Sequence, residues 1–120
     1  VAVVDDSIVR GTTSKRIVKM LRNAGATEVY FISAAPPITN PCVYGIDMAI
    51  STELIASSKT HEEICNYIGS DALVYQTIED LQQLYKTLPC CYACFTGKYP
   101  VEDSDKLLSE IEQERMEAKA

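Results

Sequence analysis

The sequence predicts an α/β fold with a parallel sheet, and three local patterns lead there. Residues 1–4 are an unbroken apolar run that stops at two carboxylates, as a short buried strand does where it reaches the edge of a parallel sheet. Ile17, Met20, Leu21 and Ala24 then put apolar side chains at helical spacing. Residues 28–33 are rich in β-branched and aromatic side chains, which suit a second strand. Strand, helix and strand inside the first 33 residues form one βαβ unit with a right-handed crossover. Composition agrees: 47% of the 120 residues are hydrophobic and 23% charged, which is globular and sufficient for one small domain.

The elements follow in order. Residues 7–13, with one Gly, one Ser and two Thr, read as a loop, and Thr12, Thr13 or Ser14 is expected to cap the first helix. Gly25 should close that helix in the left-handed conformation. Pro36, Pro37 and Pro41 make residues 35–48 an irregular connection. Residues 52–57 form a weak helix. Thr60 and Glu63 make a capping box for a better helix that ends at Ile68. A short strand is expected over residues 72–76 and a helix over 78–86. A cysteine-rich loop occupies 88–100, and a charged, largely exposed helical tail occupies 103–120. Three strands are few for a doubly wound sheet. The chain also opens at Val1 with no basic n-region and no cleavage site, which argues against a signal peptide and points to a piece of a longer protein.

Charge narrows the partners. The formal net charge is −6, from 11 Lys and Arg against 17 Asp and Glu, so a basic face for nucleic acid is missing. Yet residues 1–24 sum to +3, while residues 101–120 sum to −4. A local positive end suits a small anion better than a polymer. No apolar run approaches the roughly 20 residues needed to span a bilayer, which leaves no membrane role. Five cysteines are an odd number, with Cys90, Cys91 and Cys94 bunched, so the pattern reads as cytoplasmic thiols used for metal or redox work.

The string Val1-Ala2-Val3-Val4-Asp5-Asp6-Ser7-Ile8-Val9-Arg10-Gly11-Thr12-Thr13 carries the chemistry. A strand delivers two acids to the sheet edge, and a Gly- and hydroxyl-bearing loop then runs into a helix N-terminus. Such a loop can aim several backbone N–H groups at one phosphate, helped by the positive end of the helix dipole. The carboxylates can accept hydrogen bonds from vicinal hydroxyls, so the pair describes a site for a ribose 5-phosphate. Cys91-Tyr92-Ala93-Cys94 is a CxxC knuckle that lets two thiolates face one metal centre, and Cys42, in a Pro-bounded loop, is the natural third ligand. Cys65, beside Ile64 and Ile68, reads as a buried small hydrophobe, and Cys90 has no partner at that spacing. CxxC alone fits a zinc knuckle or a redox pair equally well.

The thirteen-residue string resembles the 5-phosphoribosyl-1-pyrophosphate (PRPP) motif of the type I phosphoribosyltransferases. That resemblance implies that Asp5 and Asp6 bind the ribose hydroxyls and their Mg²⁺, and that Ser7, Ile8, Val9, Arg10, Gly11, Thr12 and Thr13 hold the 5′-phosphate. Residues 36–47 and 91–100 resemble the iron–sulfur-containing, Bacillus-type glutamine PRPP amidotransferases, so the likeness extends over about residues 1–101. It implies a [4Fe–4S] cluster held by Cys42, Cys91 and Cys94, with a fourth ligand before residue 1.

The implied fold is the C-terminal portion of a type I phosphoribosyltransferase parallel-sheet domain with an irregular cysteine-containing extension. Residues 1–87 would be the partial phosphoribosyltransferase domain, and 88–120 the Cys-rich loop and tail. The implied parent makes 5-phosphoribosylamine from PRPP and glutamine-derived ammonia. Its partners are an N-terminal glutaminase domain, purine nucleotides as feedback ligands and further copies of itself. No catalytic acid–base residue is expected; the only histidine, His61, reads as a solvated surface residue.

Bacterial receiver domains begin in a similar way, with Asp47 and Lys98 as their phosphoacceptor and lysine. However, Asp47 does not end a long apolar strand, and that family has no use for Arg10-Gly11-Thr12-Thr13. Two further alternatives are a non-catalytic nucleotide-binding module and a metal or thiol module in which the acid pair is incidental.

Overall fold

The structure is a computed structural model that describes residues 1–44 and 50–118. Three parallel strands form one sheet in the order β1-β2-β3, with β1 at Ala2–Asp5, β2 at Tyr30–Ser33 and β3 at Ala72–Tyr75. The register aligns the C-terminal residues Asp5, Ser33 and Tyr75 across the sheet. Helix α1 (Thr12–Asn23) follows β1. A 3₁₀ turn (Ser51–Glu53), α2 (Ile55–Ser58) and α3 (His61–Ile68) lie between β2 and β3. Helices α4 (Ile78–Leu84), α5 (Ala93–Thr96) and α6 (Ser104–Glu117) complete the chain.

Alternation along the strands sends Val3, Phe31 and Leu73 to one face, where Val18 of α1 and Ile64 and Ile68 of α3 bury them. The opposite face carries Val4, 69% exposed, and Val74, 52% exposed, with Tyr30 beside them. The expected buried first strand is therefore a half-exposed edge strand. Parallel strands bury both faces only when helices cover both, and the helices described here cover one.

Helix α1 departs from expectation in its N-cap and in its buried stripe, but not at its C-terminal closure. Its N-cap is Gly11 in the left-handed conformation (φ 74°), with no side-chain cap, so neither Thr12, Thr13 nor Ser14 caps it. Ser14 is instead buried under the helix, next to Val18. Met20 is 68% exposed and Ala24 is exposed, so the inward stripe is Ser14, Ile17, Val18 and Leu21. At the other end Gly25 adopts φ 98°, with the Gly25 N–H bonding Arg22 O and the Ala26 N–H bonding Leu21 O. That is the Schellman closure expected of a glycine at this place.

The Thr60–Glu63 capping box forms as expected: the Thr60 hydroxyl accepts the Glu63 N–H, and Glu63 accepts the Thr60 N–H at 2.7 Å. The weak helix over 52–57 resolves into the 3₁₀ turn and the single turn of α2. The cysteine loop contains one helical turn, α5, closed by Gly97 in the left-handed region. Asp47 and the neighbouring residues 45–49 lie outside the described residues. No helix among the described residues is long and apolar enough to cross a membrane.

Candidate functional site

The acids come first. Asp5 ends β1, and Asp6 follows it into the loop. The Asp6 N–H donates to Asp5 Oδ1 at 3.0 Å and the Ser7 hydroxyl to Asp6 Oδ1 at 3.1 Å. Both carboxylates therefore stand at the C-terminal edge of the sheet, where open α/β sheets bind ligands.

Beyond Ser7 the loop is nailed down residue by residue. Ile8, 1% exposed, enters the sheet core. Val9 turns to a second cluster built on Ile38 and Leu54, with Cys94 and Phe95 against it. Its carbonyl accepts the Ile55 N–H at 2.9 Å. Arg10 donates from Nε and Nη2 to Glu53 Oε2, at 3.0 and 2.7 Å. Gly11 is buried, and a Cβ there would lie 2.8 Å from Ile55 Cδ1 and 3.1 Å from Tyr67 Cε1. The φ of 74° favours glycine, and a Cβ would also require the Ile55 methyl and the Tyr67 ring to give way.

Because Gly11 supplies no side chain, the N–H groups of Thr12, Thr13 and Ser14 open the helix without an intrahelical partner. Lys15 sits 4.5 Å above the Tyr67 ring and, with Arg16 and Lys19, lines a groove of about 290 Å³ along α1. The arrangement offers backbone donors and positive charge on one side of the loop and two carboxylates on the other. It can hold an anion and a pair of hydroxyls together.

The thiols come together around the second cluster. Burial pushes the Cys94 thiol up, and the neighbouring Cys42 and Cys91 raise it further, while the N–H groups of Cys94 and Phe95 oppose the shift. The Tyr44 N–H reaches Cys42 Sγ at 3.4 Å. Tyr99 is raised by burial and then by Cys94, Cys42 and Cys91. The Cys94 carbonyl accepts the N–H groups of Thr39 and Asn40, both at 3.0 Å, which ties α5 to the Pro-rich connection. Among the described residues no set of three His, Cys, Asp or Glu side chains is drawn tightly enough to enclose a single ion. Three thiols in one neighbourhood, two of them receiving N–H donors, are nevertheless the donor chemistry of an iron–sulfur centre. Cys90 is exposed, and Cys65 packs against the sheet core with its Sγ 3.4 Å from the Ser70 carbonyl.

Glu53 and Tyr67, on which the loop rests, carry no local sequence signal. Each lies more than forty residues beyond the residue it touches. His61 is exposed but engaged: its Nε2 meets the Leu73 carbonyl at 2.8 Å and its ring tilts over Tyr75. Both line a cavity of about 560 Å³ that includes Pro37, Gln76 and Ile78. The Tyr75 hydroxyl is buried without a hydrogen-bond partner, and burial pushes its pKa up to about 12.

With this geometry in place, the likeness to known proteins is direct. An amidophosphoribosyltransferase of Methanocaldococcus jannaschii is 56% identical over 102 residues, covering 85% of this chain. The chain is homologous to one segment of the amidophosphoribosyltransferases. The Schizosaccharomyces pombe enzyme is 47% identical over 119 residues, so its match runs through the acidic tail to cover 97% of the chain. The fold superposes on the glutamine PRPP amidotransferase of Bacillus subtilis, solved with ADP and GMP, with a TM-score of 0.76 and 54% identity over 84% of the chain. The parallel sheet thus matches part of that enzyme's phosphoribosyltransferase-type domain. The chain spans 22% of the length of the two curated relatives and 24% of the solved chain. No protein-family model matches.

Proposed function

We propose that this chain carries the ribose-5-phosphate-binding half of an amidophosphoribosyltransferase site. The parent enzyme makes 5-phosphoribosylamine from PRPP and glutamine-derived ammonia, the first step of de novo purine synthesis. One observation supports the reading most: the acid pair of β1 runs straight into a buried, glycine-hinged loop whose helix N-terminus has no side-chain cap.

In this reading Asp5 and Asp6 accept hydrogen bonds from the ribose hydroxyls and would hold Mg²⁺, which would supply positive charge to balance the pyrophosphate. Ser7 to Thr13 hold the 5′-phosphate, mainly by backbone N–H groups, since Glu53 already engages the Arg10 guanidinium. Substitution at an anomeric carbon has oxocarbenium character, so holding the ribose in place and balancing its charge matter more than an acid–base pair. Cys42, Cys91 and Cys94 would hold a [4Fe–4S] cluster whose contribution here is to cross-link the cysteine loop to the Pro-rich connection. Residues 1–87 form the partial phosphoribosyltransferase domain, and 88–120 the Cys-rich loop and helical tail. The remaining partners are a glutaminase domain in the parent chain, purine nucleotides as feedback ligands and further copies of the enzyme, in the cytoplasm.

The test is PRPP-dependent pyrophosphate release with ammonium at high pH. The full-length protein should turn over, and Asp5→Asn with Asp6→Asn should abolish turnover. The 120 residues alone should be inactive. Normal turnover by the double variant would overturn the assignment of the acid pair.

A further inference from the structure

The acidic tail has no role in the phosphate-loop reading, yet α6 is linked to the phosphate loop through Glu112, Ser51, Glu53 and Arg10. Glu112 of α6 accepts the Ser51 N–H at 3.0 Å and also the Ser51 hydroxyl. Ser51 opens the 3₁₀ turn, which is closed by the Glu53 N–H on the Ile50 carbonyl and locked by the Ser57 hydroxyl on the Ser51 carbonyl at 2.9 Å. At the far end of this turn Glu53 Oε2 accepts from Nε and Nη2 of Arg10, in the middle of the phosphate loop. Immediately beyond it the Ile55 N–H holds the Val9 carbonyl. Leu54, fully buried, prevents the turn from sliding between its two anchors.

We propose that Glu112 and Glu53 are positioning residues: α6 sets the 3₁₀ turn, and the turn sets Arg10 and with it the aim of the loop N–H groups at phosphate. The claim rests on the phosphate-loop reading and goes beyond it. The turn is tied by the Glu53 N–H to the Ile50 carbonyl and by the Ser57 hydroxyl to the Ser51 carbonyl, so Ser51 and Glu53 keep a fixed separation and a change at one reaches the other. Two charge-assisted donors converging on the single oxygen Glu53 Oε2 likewise restrict the direction of the guanidinium as well as its distance. An acid in the tail, distant in sequence from the loop, then governs affinity for a phosphorylated ligand without touching it. The match of the S. pombe enzyme over 97% of the chain places this tail inside the homologous segment.

The experiment uses the full-length protein and GMP as probe, with Kd by calorimetry and thermal stability read in parallel. Glu112→Ala and Ser51→Ala should each weaken GMP by about threefold to tenfold. In an Arg10→Gln background the same two changes should have a clearly smaller effect, since the Glu53 tie is cut and only the Ile55–Val9 bond still joins the turn to the loop. A merely structural role would instead lower the melting temperature and weaken binding equally in both backgrounds. Leu107→Ala, on α6 but outside the chain of contacts, should leave Kd unchanged. Ser51→Ala leaves α6 intact, so it decides the matter even if Glu112→Ala loosens the helix. Unchanged affinity in both variants, with a wild type that binds, overturns the positioning claim alone. A wild type that does not bind GMP overturns the loop reading and this claim together.

Discussion

Eight buried hydrophobic residues close the cluster under the sheet, among them Phe31, Ile64 and Leu73, whereas the cluster beside the cysteines buries only Ile38 and Leu54. The first is drawn from two strands, three helices and the loop positions Ile8 and Val29, and would order itself by apolar burial. The second is assembled from loops and one helical turn. It is held by polar ties: Thr39 and Asn40 to the Cys94 carbonyl, and the Tyr99 hydroxyl to the Pro41 carbonyl at 2.6 Å. A region with so little buried surface takes its order from cross-links, as small disulfide and metal domains do. The contrast makes the phosphate loop the point of contact, because it belongs to the well-packed region on one side and the tied region on the other.

The sharpest way to break this contrast is Gly11→Val. The valine would have to adopt φ 74° and push its Cβ to 2.8 Å from Ile55 Cδ1, which should cost about 3 kcal/mol or more. Denaturant unfolding should register the loss across the sheet region, and calorimetry should find no GMP binding. Wild-type stability with wild-type affinity would show that the loop can be rebuilt without its glycine.

Cysteine variants test the other region. Cys42→Ser, Cys91→Ser and Cys94→Ser should each strip iron and sulfide from the full-length protein purified anaerobically, with loss of its visible absorbance. Cys65→Ser and Cys90→Ser should retain both. Sheet-region stability should change by no more than about 1 kcal/mol in the first three, because their side chains are absent from its core. A full cluster in Cys94→Ser would remove that residue from the ligand set.

A smaller effect comes from pH. Asp71 accepts the Val29 N–H at 2.7 Å and pairs with Arg22, and these bonds hold its carboxyl below the usual range. The backbone and hydroxyl of Thr60 do the same for Glu63. Groups with depressed folded-state values contribute stability that is complete above their unfolded values, about 4, and disappears as the pH falls through the folded ones. The sheet region should therefore weaken on acidification below about pH 4. Asp71→Asn should flatten that dependence, read as the urea midpoint against pH. Parallel slopes for the two proteins would remove Asp71 from the account.

What could be read in the sequence divides along the same line. The strands, the Schellman glycine and the Thr60 capping box are set by neighbours a few residues away, and they appear where local chemistry puts them. The hydroxyl cap of α1 does not, because Ser14 is needed under the helix and Gly11 must fit against Ile55 and Tyr67. Met20 has helical spacing but lies just off the buried stripe, and Val4 looks like a core residue only if helices cover both faces of the sheet. For the candidate site, the acid pair and loop are contiguous and legible. Glu53, 43 residues from Arg10, and Glu112, 61 residues from Ser51, come near only through the fold.

Ile8 and Val9 are neighbours whose side chains enter different clusters, one beneath the sheet and one beside the cysteines. Surface loops ordinarily accept an inserted or deleted residue at little cost. Here a single residue added between Asp6 and Ile8 would move Ile8 into the place of Val9 and Val9 into that of Arg10, presenting each side chain to surroundings shaped for another. Length, more than the identity of its polar residues, is thus what this loop cannot vary.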